Sequence, residues 1–442
     1  MSQIQPRLVS LAWPLFLELC LGIAVGMLGT ALAARLSDTG GAAFALANHV
    51  VGMLFILFRI IGAGVSVVIT QSLGGGRRDQ ADALARAALG ASTWMGLFIA
   101  ALASLGAEPL LHLLNAPAEV IPLALPLLLA LAPALPLDAW NASMASVMRA
   151  HLRTRDTLAV IVCMHASHLL LAWLLMPRIG LPGFALAMGL SRLLGIVLHL
   201  WLWRARLNLW PRWGNWWRLP RAELAAILHI GLPGAAENIA YRLAFMVSVA
   251  VAGKLGATAL ATQAYTQQLM YFVLLAGLAT GFAAEIVVGH MIGAGKLHQA
   301  DKLVRKAMGR GLLLSFAVAL SAALAAPWLL RMFTSDPEII ATGSTLMWIT
   351  VILEPGRTFN LVVINALRAA GDARYPVMAG ASSMVLVLAG GTWLLGLHWG
   401  LVGVWIAYAL DEWVRGLLMW RRWARLDWVP HARATHRRLR RQ

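Results

Sequence analysis

Over most of this chain the polar positions are too sparse to set any rhythm. Runs such as "LLLALAPALPL" (127–137), "LLLAWLLM" (169–176) and "AVALSAALAAPWLL" (317–330) lie inside apolar stretches that reach the ~20 residues a helix needs to cross a bilayer. Period-two alternation, the mark of a membrane β-barrel, is absent, so the stretches read as helices. Twelve are predicted: 8–36, 42–73, 81–106, 120–149, 156–177, 182–205, 222–253, 258–292, 302–330, 338–368, 375–397 and 399–424. The first leads directly into further spans without a small-residue cleavage site, which makes it a helix and not a signal peptide.

Composition agrees: 60% of the 442 residues are hydrophobic and 12% are charged, where a soluble domain carries roughly 25% charged residues. The net charge of +17 would suggest nucleic acid if it were clustered on a soluble surface. Alternating the spans instead collects nearly all of it on one side. Arg77, Arg78 and Arg86, Arg149, Arg153 and Arg155, the arginines of 204–221, Lys296–Arg310, Arg368, Arg374 and the arginine-rich tail fall together, against Arg35, Arg178, Lys254 and Arg331 opposite. This bias places both termini in the cytoplasm and assigns the tail to topology and lipid headgroups, with no nucleic-acid partner. Cys20 and Cys163 both fall in predicted spans and give no disulfide framework. "WPRWGNWW" (210–217) reads as an interfacial linker between two halves.

The halves repeat. An offset of 219 brings Pro14 onto Pro233, Glu18 onto Glu237, Gly74 and Gly76 onto Gly293 and Gly295, and "QADALAR" (80–86) onto "QADKLVR" (299–305). It also brings Pro136 onto Pro355, Asn141 onto Asn360, Arg149 onto Arg368 and Arg155 onto Arg374. An N-terminal lobe of six helices (1–205), a linker (206–221), a C-terminal lobe of six helices (222–425) and a basic tail (426–442) follow. An even span number per half makes the repeats parallel, an arrangement that suits alternating access in a transporter.

"LPGAAENIAYRL" (232–243) and "LRAAGDARYP" (367–376), echoed by "WPLFLEL" (13–19), "SVVITQSLGGGRRDQADAL" (66–84) and "VMRAHLRTRD" (147–156), resemble the multidrug and toxic compound extrusion (MATE) family over nearly the whole chain. The resemblance implies an all-α membrane protein with twelve helices in two pseudo-symmetric lobes. It implies a monomeric antiporter of a bacterial inner membrane in which a proton or sodium ion enters as an organic, often cationic, compound leaves. The major facilitator pattern, with its Gly- and Arg-containing loop between the second and third helices, is not seen.

Ionisable residues inside spans cost about 2.5–3.5 kcal/mol each on insertion scales, so each calls for a reason. They are Glu18, Asp138, Glu237, Glu285, Glu354, Asp411 and Glu412, with Arg59, Arg192, Arg242, Arg357 and Arg415. Glu354 and Arg357 lie one turn apart and can pair across Pro355 and Gly356, giving a charged hinge at a proline bend. The 219 offset puts Asp138 where the second half has Arg357. The pair is either a static brace or a switch in which protonating Glu354 or Asp138 frees Arg357. Glu18 and Glu237 follow matching prolines and either bond the freed backbone or carry a proton. Asp411 and Arg415 are spaced as an i, i+4 pair, with Asp411 a further ion-coupling candidate.

The family's coupling acids do not carry over. The norfloxacin-exporting branch has acids where this chain has Tyr241, Arg357 and Thr30, and the damage-inducible branch has them at Thr30 and at Ala172. A proton is therefore the simpler coupling ion, with sodium the alternative. Asn48, Gln263, Gln267, Tyr241, Asn141 and Asn360 are candidates to line a substrate cleft, against a reading of the asparagines as interhelical glue. His165 and His168, near Cys163, lack the partners of a metal site, and "SLGGGRR" lacks the ending of a phosphate loop. No cofactor is expected, and no nucleophile–base pair or His-Glu-x-x-His motif supports an enzyme. The rival within the superfamily is a lipid-linked oligosaccharide flippase.

Overall fold

The computed structural model describes residues 8–54, 57–114 and 117–441. Every regular element among them is helical: α1 Leu8–Ala34, α2 Asp38–Leu54, α3 Phe58–Gly74, α4 Arg78–Leu105, α5 Ala107–Leu113, α6 Ile121–Leu131, α7 Leu135–Ala150, α8 Thr154–Ile179, α9 Pro182–Leu202, α10 Arg221–Lys254, α11 Ala257–Gly293, α12 Leu297–Leu330, α13 Pro337–Ala369, α14 Arg374–Ser383, α15 Gly390–Ala424 and α16 Val429–Arg441. Among the described residues, ten helical stretches are long and apolar enough to cross a membrane. A helix closes every backbone hydrogen bond within itself, which is why lipid-facing chain adopts it.

Of the expected span 42–73, residues 42–54 lie in α2 and 58–73 in α3, with 55 and 56 outside the described residues. The expected break between the spans 375–397 and 399–424 falls at Gly400 (φ 59°, ψ −145°), a conformation that suits glycine, where two helical runs within Arg374–Ala424 meet at a kink.

The chain forms two compact units. One consists of Leu17–Leu73 and Arg77–Ala235; the other of Ala236–Gln442 with short pieces at Gly74–Gly76 and up to Phe16. In the first, α2, α4, α6, α7, α8 and α9 close over a core that includes Phe44, Ile99, Leu127, Leu128, Leu135 and Phe184. There α3 and α10 touch backbone to backbone: a methyl on Gly64 would lie 2.1 Å from the Ile227 carbonyl oxygen, and one on Gly231 would lie 1.8 Å from that of Ile60. The 206–221 segment packs on α4, with Arg78 donating to the Leu207 carbonyl (2.5 Å) and Trp94 Nε1 to that of Trp217 (2.9 Å).

In the second unit, α13 packs against α11, α12 and α15. It starts at Pro337 behind an Asp336 cap that accepts from the amide of Glu338 (2.8 Å). Residues 429–441 of the basic tail are the helix α16, which packs against α11.

Candidate functional site

Buried charge in the second unit gathers around the opening of the Pro355 turn. Pro355 lies within α13 and supplies no amide, leaving the Val351 carbonyl without its helical donor. One turn on, Arg357 donates to Glu354 Oε1 (2.5 Å), the pair predicted by spacing, and through Nε to Glu412 Oε1 on α15 (3.0 Å). Glu412 also meets Arg415 (2.8 Å) and accepts from Asn360 Nδ2 (3.1 Å). Arg415 continues to Asp411 (2.8 Å), whose second oxygen accepts from Ser383 (2.7 Å), and its guanidinium lies 5.6 Å from the Tyr241 ring centroid. All five charged side chains are at most 6% exposed. The chain Glu354–Arg357–Glu412–Arg415–Asp411 thus sets three carboxylates against two guanidiniums. Gly356 has a packing role as well as a conformational one: a methyl there would come within 2.7 Å of the Trp413 indole, which donates to the Ile352 carbonyl (3.0 Å).

Glu237 stands in a separate pair, accepting from Arg368 of α13. In the first unit Glu18 accepts from Arg149 (2.8 Å). The two pairs are equivalent under the 219 offset, and both acids are held by guanidinium groups and not by the backbone beside the prolines. The roles of Arg149 and Arg368 were hidden in the sequence, where both count as positive charge at the end of a span. The signal that could have found them is the equal separation of 131 residues between acid and base in both copies.

Asp138 accepts from Arg192 Nε (2.6 Å) across α7 and α9, so protonating Asp138 would release Arg192 and not Arg357. Gly180 (φ 70°) and Gly400 (φ 59°) hold the same unusual backbone conformation, and methyls on Gly183 and Gly403 would strike the backbone of Leu175 and Leu395. Beyond these glycines the repeat offset is therefore 220, which makes Arg192 the counterpart of Glu412. Asp138–Arg192 in the first unit and Arg357–Glu412 in the second occupy equivalent positions with their charges exchanged. The flanking asparagines are retained: Asn141 donates to the Leu137 and Arg192 carbonyls (both 2.9 Å), and Asn360 to Glu412.

A cavity of about 470 Å³ opens in the first unit among Phe44, Asn48, Asp138, Asn141, Phe184 and Arg192, with His165, His168 and His199 on its wall. Because the Asn141 amide nitrogen is occupied, its oxygen accepts from His199 Nδ1 (3.2 Å), leaving His199 Nε2, like Asp138 Oδ2, buried without a partner among the described residues. Among the cleft candidates, Asn48 and Asn141 meet here and Asn360 joins the charged chain of the second unit. Tyr241 lies beside Arg415, while Gln263 bonds Ser248 (3.1 Å) and Tyr408 (3.3 Å), and Gln267 is half-buried on α11. The side chain of Arg59 lies outside the described residues.

A family model, MatE, matches the chain twice, at residues 14–174 and 233–393, two segments again 219 apart. The chain is 31% identical over 435 residues to YisQ, an uncharacterized transporter of Bacillus subtilis (strain 168), covering 97% of this chain and 96% of that one. It is 28% identical over 433 residues to a probable multidrug resistance protein, NorM, of Bradyrhizobium diazoefficiens, covering 93% and 91%. Among solved structures it superposes on a MATE transporter in the bent conformation with a TM-score of 0.88 at 18% identity, covering 97% and 96% of the two chains, and on the Vibrio cholerae MATE transporter VcmN in the bent form at 0.86 and 21%, covering 97% of each.

Proposed function

Because this chain belongs to the MatE family and is a multi-pass membrane transporter, we propose that it is a proton-coupled antiporter exporting organic compounds by alternating access of lobes 1–205 and 222–425. The same reading takes 206–221 as a cytoplasmic interfacial linker and 426–442 as a cytoplasmic tail, with both termini on the cytoplasmic side of a bacterial inner membrane and the chain working as a monomer.

One observation carries the choice of ion: three buried carboxylates share two guanidiniums. A buried ion without a counter-ion is expensive, so the cluster is balanced by taking up one more positive charge. A proton needs no coordination sphere and can sit on Glu354, which touches one guanidinium, whereas Glu412 is held by two with Asn360, and Asp411 by Arg415 with Ser383. Taking the proton weakens Glu354's hold on Arg357 beside Pro355, which is how ion binding would reach the bend. Glu237 and Glu18, each matched by one arginine, serve as braces in this scheme. The first unit's cavity, with Phe44 and Phe184 as apolar walls and Asn48 and Asn141 as polar contacts, suits an aromatic substrate.

Inverted vesicles energised to an acid interior in sodium-free buffer provide the test. Compound-dependent proton release from a panel of cationic drugs, dyes and flavins, abolished by Glu354→Gln and retained in Glu237→Gln, is the expected result. Exchange that requires sodium would overturn proton coupling, and silence with either ion would move the assignment to a flippase.

A further inference from the structure

Helix α16 presents two contrasting faces. Ala432 and Leu439 are buried, and Trp428, just before the helix, stacks on Trp423 with ring centroids 4.2 Å apart. His436 Nδ1 donates to the Gly293 carbonyl (2.8 Å). A methyl on Gly295 (φ +72°) would lie 3.0 Å from the His436 ring, and one on Gly371 (φ +91°) would lie 3.0 Å from Thr435 Oγ1. The helix therefore sits on two inter-helix turns, the one joining α11 to α12 and the one joining α13 to α14. In the first repeat the corresponding Gly76 (φ +74°) has nothing within 4 Å of its absent methyl, and the residue equivalent to Gly371 is Leu152 (φ 63°). The turn that Thr435 covers takes glycine at 371 where the other repeat keeps Leu152 at a similar positive φ, while the 295 turn is glycine in both repeats.

The opposite face carries Arg433, Arg437, Arg438 and Arg440, all exposed, and among the described residues none of them has a carboxylate partner. From Trp428 to the end of the chain there is no acidic residue. A 13-residue helix is marginal on its own, and these like charges repel one another, so docking and a counter-charge must stabilise it together. In a multi-pass membrane protein the anionic surface always at hand is the bilayer's own.

We infer that α16 is an anionic-lipid-binding bracket: its arginine face engages phospholipid headgroups while its inner face holds the 293–296 and 370–373 turns of the second unit. Lipid charge thereby sets how tightly those two turns are held.

Hydrogen exchange of the full chain in nanodiscs tests this without reference to transport. With phosphatidylcholine alone compared against a mixture containing about a third phosphatidylglycerol, residues 429–441 should exchange roughly tenfold or more slowly in the anionic discs, as several guanidiniums each gain a headgroup. High salt should erase the difference, as should the combined Arg433→Gln, Arg437→Gln, Arg438→Gln and Arg440→Gln variant. Salt on the unaltered protein decides the matter if that variant does not fold. His436→Ala should speed exchange in both lipids and at the 293–296 turn. Equal exchange in both discs would overturn the inference, as would protection indifferent to salt, or protection given more strongly by added RNA than by anionic lipid.

Discussion

Rebuilding the second unit's ion pair inside the first asks whether the fold needs a particular charge at each position or just opposite charges across the helix pair. The combined Asp138→Arg and Arg192→Glu substitution copies the Arg357–Glu412 arrangement into the place where Asp138 and Arg192 meet at 2.6 Å. Either change alone sets like charges together in a buried site, and breaking such a pair costs about 3–5 kcal/mol. If the sites were independent, the double variant would lose about 6–10 kcal/mol. With the exchanged pair formed, its loss should fall below that of either single variant, to roughly 1–3 kcal/mol, the scale of repacking the altered side chains. The assay is the midpoint of thermal loss of the monodisperse peak in detergent, read at one pH and one salt concentration for all four proteins. A double variant as unstable as the sum of the singles would refute the reasoning and show that neighbours such as His199 fix the polarity of each unit.

Arg357→Ala should destabilise by about 3–5 kcal/mol near neutral pH, and the loss should shrink as pH falls, because a protonated Glu354 or Glu412 needs no counter-ion; a pH-independent loss in the same assay would contradict the cluster. His151, in the turn after α7, donates its Nδ1–H to the Val147 carbonyl (2.9 Å) and has Nε2 buried without a partner among the described residues. Burial lowers its pKa, with Arg78 and Arg153 adding to the shift and the Val147 bond and Asp82 opposing it. The unfolded chain therefore binds the proton first, so this contribution is complete above about pH 6.5 and is lost as pH drops through the folded value; His151→Asn should flatten that acid limb. Gly231→Ala should be severely destabilising because its methyl meets a carbonyl oxygen at 1.8 Å, whereas Gly22→Ala, with nothing within 4 Å, should be neutral or stabilising by about 0.5–1 kcal/mol in the same thermal assay.

Local features were legible in the sequence and distant partnerships were not. Hydropathy located the spans because lipid imposes it residue by residue, and spacing revealed Glu354–Arg357 and Asp411–Arg415 because helix geometry fixes i, i+3 and i, i+4 neighbours. Arg192 and Glu412 were both visible as buried charges, yet which acid met which base depended on the packing of α7 on α9 and of α13 on α15. The break between the last two spans was legible because a short polar-aromatic stretch, "LHWG" (397–400), interrupts the hydropathy there, and it falls at Gly400, whose positive φ ends one helical run before the next begins. Helix α16 was masked by its arginines. Its signature was the sparse inner row of Ala432, Thr435, His436 and Leu439 at helical spacing, too weakly apolar to register without the turns beneath it.

The internal duplication separates what this fold requires from what each half has been free to change. Glu18–Arg149 and Glu237–Arg368 keep both residue types and polarity, which fits a brace that each half needs for its own packing. The α7–α9 and α13–α15 pairs keep the contact and exchange the charges, which a structural brace permits and a fixed ion-binding site would not. The difference lies in what surrounds them. In the first unit the pair is balanced, and the wall beside it carries imidazoles; His199 has Met419 as its counterpart at the 220 offset. In the second, Glu354 and Asp411 are added with Arg415 alone to match them, so the excess carboxylate arises on that side. If this asymmetry is what couples ion to substrate, adding a base to the second unit's cluster should silence proton exchange more completely than any exchange of charge in the first. Ser383→Lys, placed beside Asp411, is the variant that separates the two: loss of compound-dependent proton release with an intact folded peak is the expected result, and full activity would remove the excess carboxylate from the mechanism.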